Sequence, residues 1–156
     1  MDVTSREQVA GDGIESRLRG AGLRVTGPRV KVYNLLESLG GHHSADNLVQ
    51  RLSAQGAGLS RASVFNVLND LTRAGLVMLC DAGPGRAYYE ASDHWHHHFV
   101  CRACGEIYDV PCSGGRKPCL EPDLPGPGFQ VDEAQVIFRG RCPMCNLEEA
   151  PGIVLA

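Results

Sequence analysis

Two Cys-x-x-Cys knuckles, Cys101-Arg102-Ala103-Cys104 and Cys142-Pro143-Met144-Cys145, stand 37 residues apart in a chain of 156. In each, a tight turn presents two thiolates along one edge of a tetrahedron, with Gly105 after the first turn and Pro143 inside the second. Two such edges complete a four-cysteine zinc site, so the fold must bring segments far apart in sequence side by side. A redox pair would want one Cys-x-x-Cys opening a helix after a strand, and iron–sulfur clusters use other spacings. The spacing predicts structural Zn(2+) on Cys101, Cys104, Cys142 and Cys145.

Six of the seven cysteines follow residue 100, and an odd total suits metal ligation better than a disulfide framework. The N-terminal stretch MDVTSREQVAGDGIE has no basic region leading into an apolar one, and no run of about eighteen uncharged apolar residues occurs. The expectation is a cytoplasmic protein with no membrane segment.

Net charge is −3, which taken alone argues against nucleic acid. Along the chain it divides. Residues 1–92 hold ten Lys/Arg against nine Asp/Glu, whereas residues 93–156 hold five against nine. Within 17–80 eight basic residues face three acidic ones, a local +5 that suits a DNA-facing surface.

Local patterning places elements on that surface. Ile14 to Gly20 is a short amphipathic segment. Pro28 opens a helix in which Val30, Tyr33, Leu35, Leu36 and Leu39 recur at helical spacing before Gly40-Gly41. Ser44 caps a third helix, with Ala45, Leu48, Val49 and Leu52 on one face. Ser60 caps a fourth, whose apolar stripe is Val64, Val67, Leu68 and Leu71 and whose stop is Gly75. Leu76 to Cys80 and Arg86 to Glu90 then flank a Gly/Pro turn as two strands. Short helices followed by a hairpin are the order of a winged helix-turn-helix. The fourth helix would enter the major groove and present Arg61, Ser63, Asn66 and Arg73.

Beyond it, Phe99-Val100, Glu106 to Val110 and Phe129 to Phe138 have the pattern of strands around the knuckles. Before the first knuckle runs His94-Trp95-His96-His97-His98. In an extended chain His94, His96 and His98 share one face and His97 the other. Two such imidazoles can share an ion, with Glu90 and Asp109 as the nearest carboxylates in the reading. A thiolate-free set of this kind suits Fe(2+), Mn(2+) or Zn(2+).

These pieces together resemble the ferric uptake regulator family, from about Leu23 to Cys145. The motifs are Leu23-Arg24-Val25-Thr26-x-Pro28-Arg29, His42-x-Ser44-Ala45-Asp46, Leu59-Ser60-Arg61-Ala62-Ser63-Val64-Phe65-Asn66-x-Leu68, His96-x-His98-x-x-Cys101-x-x-Cys104-Gly105 and Cys142-x-x-Cys145. The resemblance implies an α+β fold: a winged helix-turn-helix DNA-binding domain over 1–91 and an α/β dimerisation domain with the four-cysteine zinc site over 92–156. It implies a homodimeric, metal-dependent repressor that binds a palindromic double-stranded operator, and no catalytic residues. A zinc-dependent hydrolase would also keep an open coordination position beside a general base, and no such base stands out.

The resemblance further implies a regulatory ion held by His42, Glu90, His96, His98 and Asp109, and a DNA face that adds Arg24, Arg29, Ser60 and Phe65 to the residues above. Fe(2+) or Mn(2+) is the expected regulatory ion, with Zn(2+) or Ni(2+) as alternatives; the zinc-uptake members usually carry a cysteine where Ala91 stands. Phe65 and Asn66 occupy positions where Tyr-Arg or Tyr-Asn is commonest. Ala134 replaces a histidine that often joins a further metal site. The segment Pro111 to Leu120 departs from the family's usual helix and is similar to the actinobacterial FurA or catalase-repressor subgroup, associated with oxidative-stress genes. Peroxide would then act at an Fe(2+)-holding histidine, or at Cys112 and Cys119 as redox thiols.

Overall fold

The structure is a computed structural model that describes residues 13–91, 95–111, 125–131 and 134–147. The chain divides into two compact units, Met1–Asp93 and His94–Ala156. Cys112 and Cys119 lie outside the described residues, as does His94.

The first unit contains α1 (Ile14–Gly20), α2 (Gly27–Leu39), β1 (His43–Ser44), α3 (Ala45–Ala54), α4 (Arg61–Arg73), β2 (Met78–Asp81) and β3 (Ala87–Glu90). The caps expected from the sequence form. The Ser44 hydroxyl accepts from the Asn47 N–H at 3.2 Å, and the Ser60 hydroxyl from the Ser63 N–H at 3.1 Å. Each satisfies an orphan donor of the first helical turn. At the far end of α4, Gly75 takes φ 69, and the Leu76 N–H turns back to the Leu71 carbonyl at 2.9 Å. Only a residue tolerant of the left-handed region closes a helix in this way and releases the chain directly into a strand.

The apolar stripes meet in one core, in which Leu18, Val32, Leu36, Leu48, Val64, Leu68 and Leu71 are fully buried. A clamp ties α2 to α4. Arg29 donates to the Asp70 carboxylate at 2.7 Å and to the Arg24 carbonyl at 2.7 Å, with its side chain only 18% exposed.

The wing is a three-stranded sheet in the order β1-β3-β2. β1 is only two residues long and pairs antiparallel with β3, His43 facing Tyr89 and Ser44 facing Tyr88. No alternation can announce so short a strand. It exists because β3 offers a free edge to the chain entering α3.

The second unit contains β4 (His97–Cys101), β5 (Ile107–Val110), β6 (Ile137–Gly140) and α5 (Pro143–Leu147). β4 is central, antiparallel to β5 and parallel to β6. Of the expected strand from Phe129 to Phe138, residues 132 and 133 lie outside the described residues; among those described, the strand is corrected to Ile137–Gly140. Its early part follows a turn at Gly128, φ 88, and pairing begins only where Ile137 meets His98. α5 was not expected; Pro143 at its first position, with φ already helical, is the signal for it.

Candidate functional site

Sheet register assembles the four cysteines. Cys101 ends β4 opposite Gly140 of β6, and the Arg102 N–H donates to the Gly140 carbonyl at 2.7 Å. The chain leaving β6 therefore delivers Cys142 beside Cys101, and α5 carries Cys145 round to the same point. All four sulfurs lie within 4.8 Å of one another, and Cys104 Sγ is 3.8 Å from Cys142 Sγ. A zinc tetrahedron with bonds of about 2.3 Å has sulfur–sulfur edges of about 3.8 Å. The donor set and its spacing fit a structural zinc ion.

The thiols are already differentiated. Backbone N–H groups of Cys104 and Cys142 pull the Cys101 thiol down to about 5, the Cys142 N–H lying 3.3 Å from its sulfur. The Cys145 N–H likewise lowers Cys142. Cys145 shares a hydrogen bond with the Cys142 sulfur and is pushed up to about 12. The Tyr108 hydroxyl, itself raised to about 12, donates to the same sulfur. Two sulfurs thus favour the thiolate before any ion arrives, which is the state a metal takes up.

A second donor set lies in the first unit. Extending the β1–β3 register by one rung places His42 opposite Glu90, and His42 Nε2 is 3.5 Å from Glu90 Oε2. Both side chains are nearly buried, at 9% and 5% exposure. A carboxylate seldom takes such a place unless it has a cationic partner.

A third set lies in the second unit. His98 faces Asp109 across β4 and β5, His96 Nε2 is 3.3 Å from Asp109 Oδ1, and the His96 and His98 rings are 4.8 Å apart. His97 projects from the other side of β4, edge-on to Trp95 and Phe138. From His96 to His98 the expected alternation is present, and it leaves His97 out of the donor set.

On α4, Arg61, Asn66 and Arg73 are exposed together with Ser60, while Ser63 and Phe65 are half-buried. Arg61 Nε donates to Asp46 Oδ1 at 2.7 Å, and its guanidinium lies over the Phe65 ring, 4.8 Å from the centroid. Arg24 is exposed, but Arg29 is turned inward onto Asp70. Charge count alone could not distinguish the two arginines.

Comparison with known proteins gives the family. The Ferric uptake regulator family profile matches residues 20–114. The chain belongs to the ferric uptake regulator family. Transcriptional regulator FurA of Mycobacterium tuberculosis is 43% identical over 137 residues, covering 85% of this chain and 90% of that protein. Ferric uptake regulation protein 1 of Mycolicibacterium fortuitum is 40% identical over 131 residues, covering 81% and 80%. Among solved structures, the ferric uptake regulator from Pseudomonas aeruginosa with manganese aligns at a TM-score of 0.65 and 33% identity, over 83% of this chain and 97% of that one. This ferric uptake regulator is therefore a DNA-binding, metal-responsive transcriptional regulator of FurA-like type. None of its described helices is long and apolar enough to cross a membrane.

Proposed function

We propose that this regulator is an Fe(2+)- or Mn(2+)-responsive homodimeric repressor acting on oxidative-stress or iron-homeostasis genes. The observation that carries the reading is the presence in each unit of a thiolate-free imidazole–carboxylate set: His42 with Glu90, and His96 and His98 with Asp109. Such donors suit Fe(2+) and Mn(2+), whereas thiolates are gathered at the four-cysteine site for Zn(2+).

His42 and Glu90 of the first unit, with His96, His98 and Asp109 of the second, would hold the regulatory ion. An ion shared in this way would supply a link between the units and set how two recognition helices of a dimer are spaced for half-sites on a palindromic operator. DNA affinity and metal affinity are then reciprocally coupled. The DNA-facing residues are Arg24, Ser60, Arg61, Ser63, Phe65, Asn66 and Arg73. Phe99, Tyr108 and Phe138 share one register position across the second sheet, with Tyr108 and Phe138 exposed, and this apolar row supports dimerisation through that unit.

The test is a gel-shift titration on duplexes selected from a random-sequence pool, with Fe(2+), Mn(2+), Ni(2+) or Zn(2+) added, with and without peroxide. The reading expects retardation at lower concentrations of Fe(2+) or Mn(2+) than of the other ions, and loss of the Fe(2+) complex after peroxide. Retardation independent of any added ion, or none with any, overturns it.

A further inference from the structure

Asp46 and Arg61 form an ion pair that packing and stability do not explain. Both side chains are about two-thirds exposed, 63% and 65%, and exposed pairs of this kind contribute little to stability. The geometry is nonetheless specific. Arg61 presents its side edge to Asp46, Nε to Oδ1 at 2.7 Å and Nη2 to Oδ2 at 3.3 Å. One turn further along α4, Phe65 lies under the guanidinium face. The plane is thus held at one edge and one face.

A guanidinium carries five N–H donors, of which Asp46 takes two. Arg61 has no other hydrogen-bond partner among the described residues. What remains is the Nη1/Nη2 end, the fork that matches O6 and N7 of guanine in the major groove. The Asp46 carboxylate also offsets the charge that would otherwise draw Arg61 to any phosphate.

We propose that Asp46 is a positioning residue for DNA specificity: it fixes Arg61 side-on against Phe65 so that Arg61 reads a guanine edge instead of a backbone phosphate. This rests on α4 being the recognition helix. Arg61 then adds base discrimination without adding to counterion release, and the Phe65 ring serves as the platform on which the arginine lies.

The experiment uses the full chain loaded with Mn(2+), as wild type, Asp46→Asn and Arg61→Met. Each selects duplexes from a random-sequence pool, and each is titrated against salt on one fixed mixed-sequence duplex. Wild type is expected to select guanine at a defined position in each half-site. Asp46→Asn loses that preference alone, and on the mixed-sequence duplex its salt dependence steepens by about 0.9 in log–log slope per chain, because Arg61 is released to a phosphate. Arg61→Met loses the same position without steepening.

The proposal is overturned if Asp46→Asn matches wild type in both readouts, or if it weakens all positions equally, as a merely structural residue would. It also falls if Arg61→Met keeps the full selected site while wild type still selects one, which leaves the DNA-binding reading intact. A wild-type chain that enriches no sequence overturns that reading as well.

Discussion

Gly140 faces Cys101 across the parallel pairing of β4 and β6, and a Cβ added to it would meet the Phe99 ring at 3.1 and 3.2 Å. The absence of a side chain there lets β6 approach closely enough to deliver Cys142. Gly140→Val is expected to destabilise the second unit by about 1–3 kcal/mol through overpacking. Zinc loss to a chelator should accelerate with it. Thermal unfolding and zinc-release rates indistinguishable from wild type would contradict this.

Removal of a zinc ligand should act on one unit only. Among the described residues of the second unit, the buried apolar side chains are Val100, Cys101 and Cys142, too few to hold a fold without further support. Cys142→Ser is therefore expected to lose zinc and the second unit's cooperative unfolding transition, because metal binding there is folding energy. The first unit keeps its own core and its helical signal. Elemental analysis and circular-dichroism melting check both halves of the statement.

Arg29→Met should affect stability and leave DNA electrostatics alone. The side chain is mostly buried and its partner Asp70 is partly exposed, so the lost pair is expected to cost about 1–2 kcal/mol. The salt dependence of DNA binding should stay at the wild-type slope. A shallower slope would place Arg29 on a phosphate.

His96→Ala removes an imidazole of the thiolate-free set and touches no cysteine. It is expected to abolish metal-dependent DNA binding while one zinc ion remains on the four cysteines. A retained metal response, read by gel shift beside zinc content, would sink the ligand assignment.

Acid titration gives a separate view of the Asp46 contact. The hydrogen bond from Arg61 lowers the Asp46 carboxyl below the ordinary value of 3.8. A group depressed on folding favours the folded state above its unfolded value, and that contribution is lost as pH falls through the folded one. The pair should therefore be intact throughout the neutral range. Below 3.8 it should dissolve, and carboxyl NMR of Arg61→Met should show Asp46 titrating higher than in wild type.

The helices of the first unit were legible because local signals agreed: Ser44 and Ser60 cap, Gly75 stops, and Val64, Leu68 and Leu71 fall on one face. The zinc ligands were legible because their spacing is chemical. What escaped depended on long-range pairing. β1 is too short for a period, so the register that sets His42 against Glu90 is invisible without β3. The alternation around Phe129 looks like a strand, yet only the stretch that finds an edge of β4 becomes one. Asp46 and Arg61 sit on different helices, and no periodicity links them.

The two knuckles are brought together by the pairing of β4 with β6, not by the length of chain connecting β5 to β6. That connection does not measure the distance between the sulfurs. Closure entropy grows only slowly with the length of chain between two paired strands, by about 0.6 kcal/mol per doubling. Insertions or deletions there should leave the geometry of the four sulfurs unchanged, so this stretch of the chain is where new length and new chemistry can accumulate without loss of the zinc site.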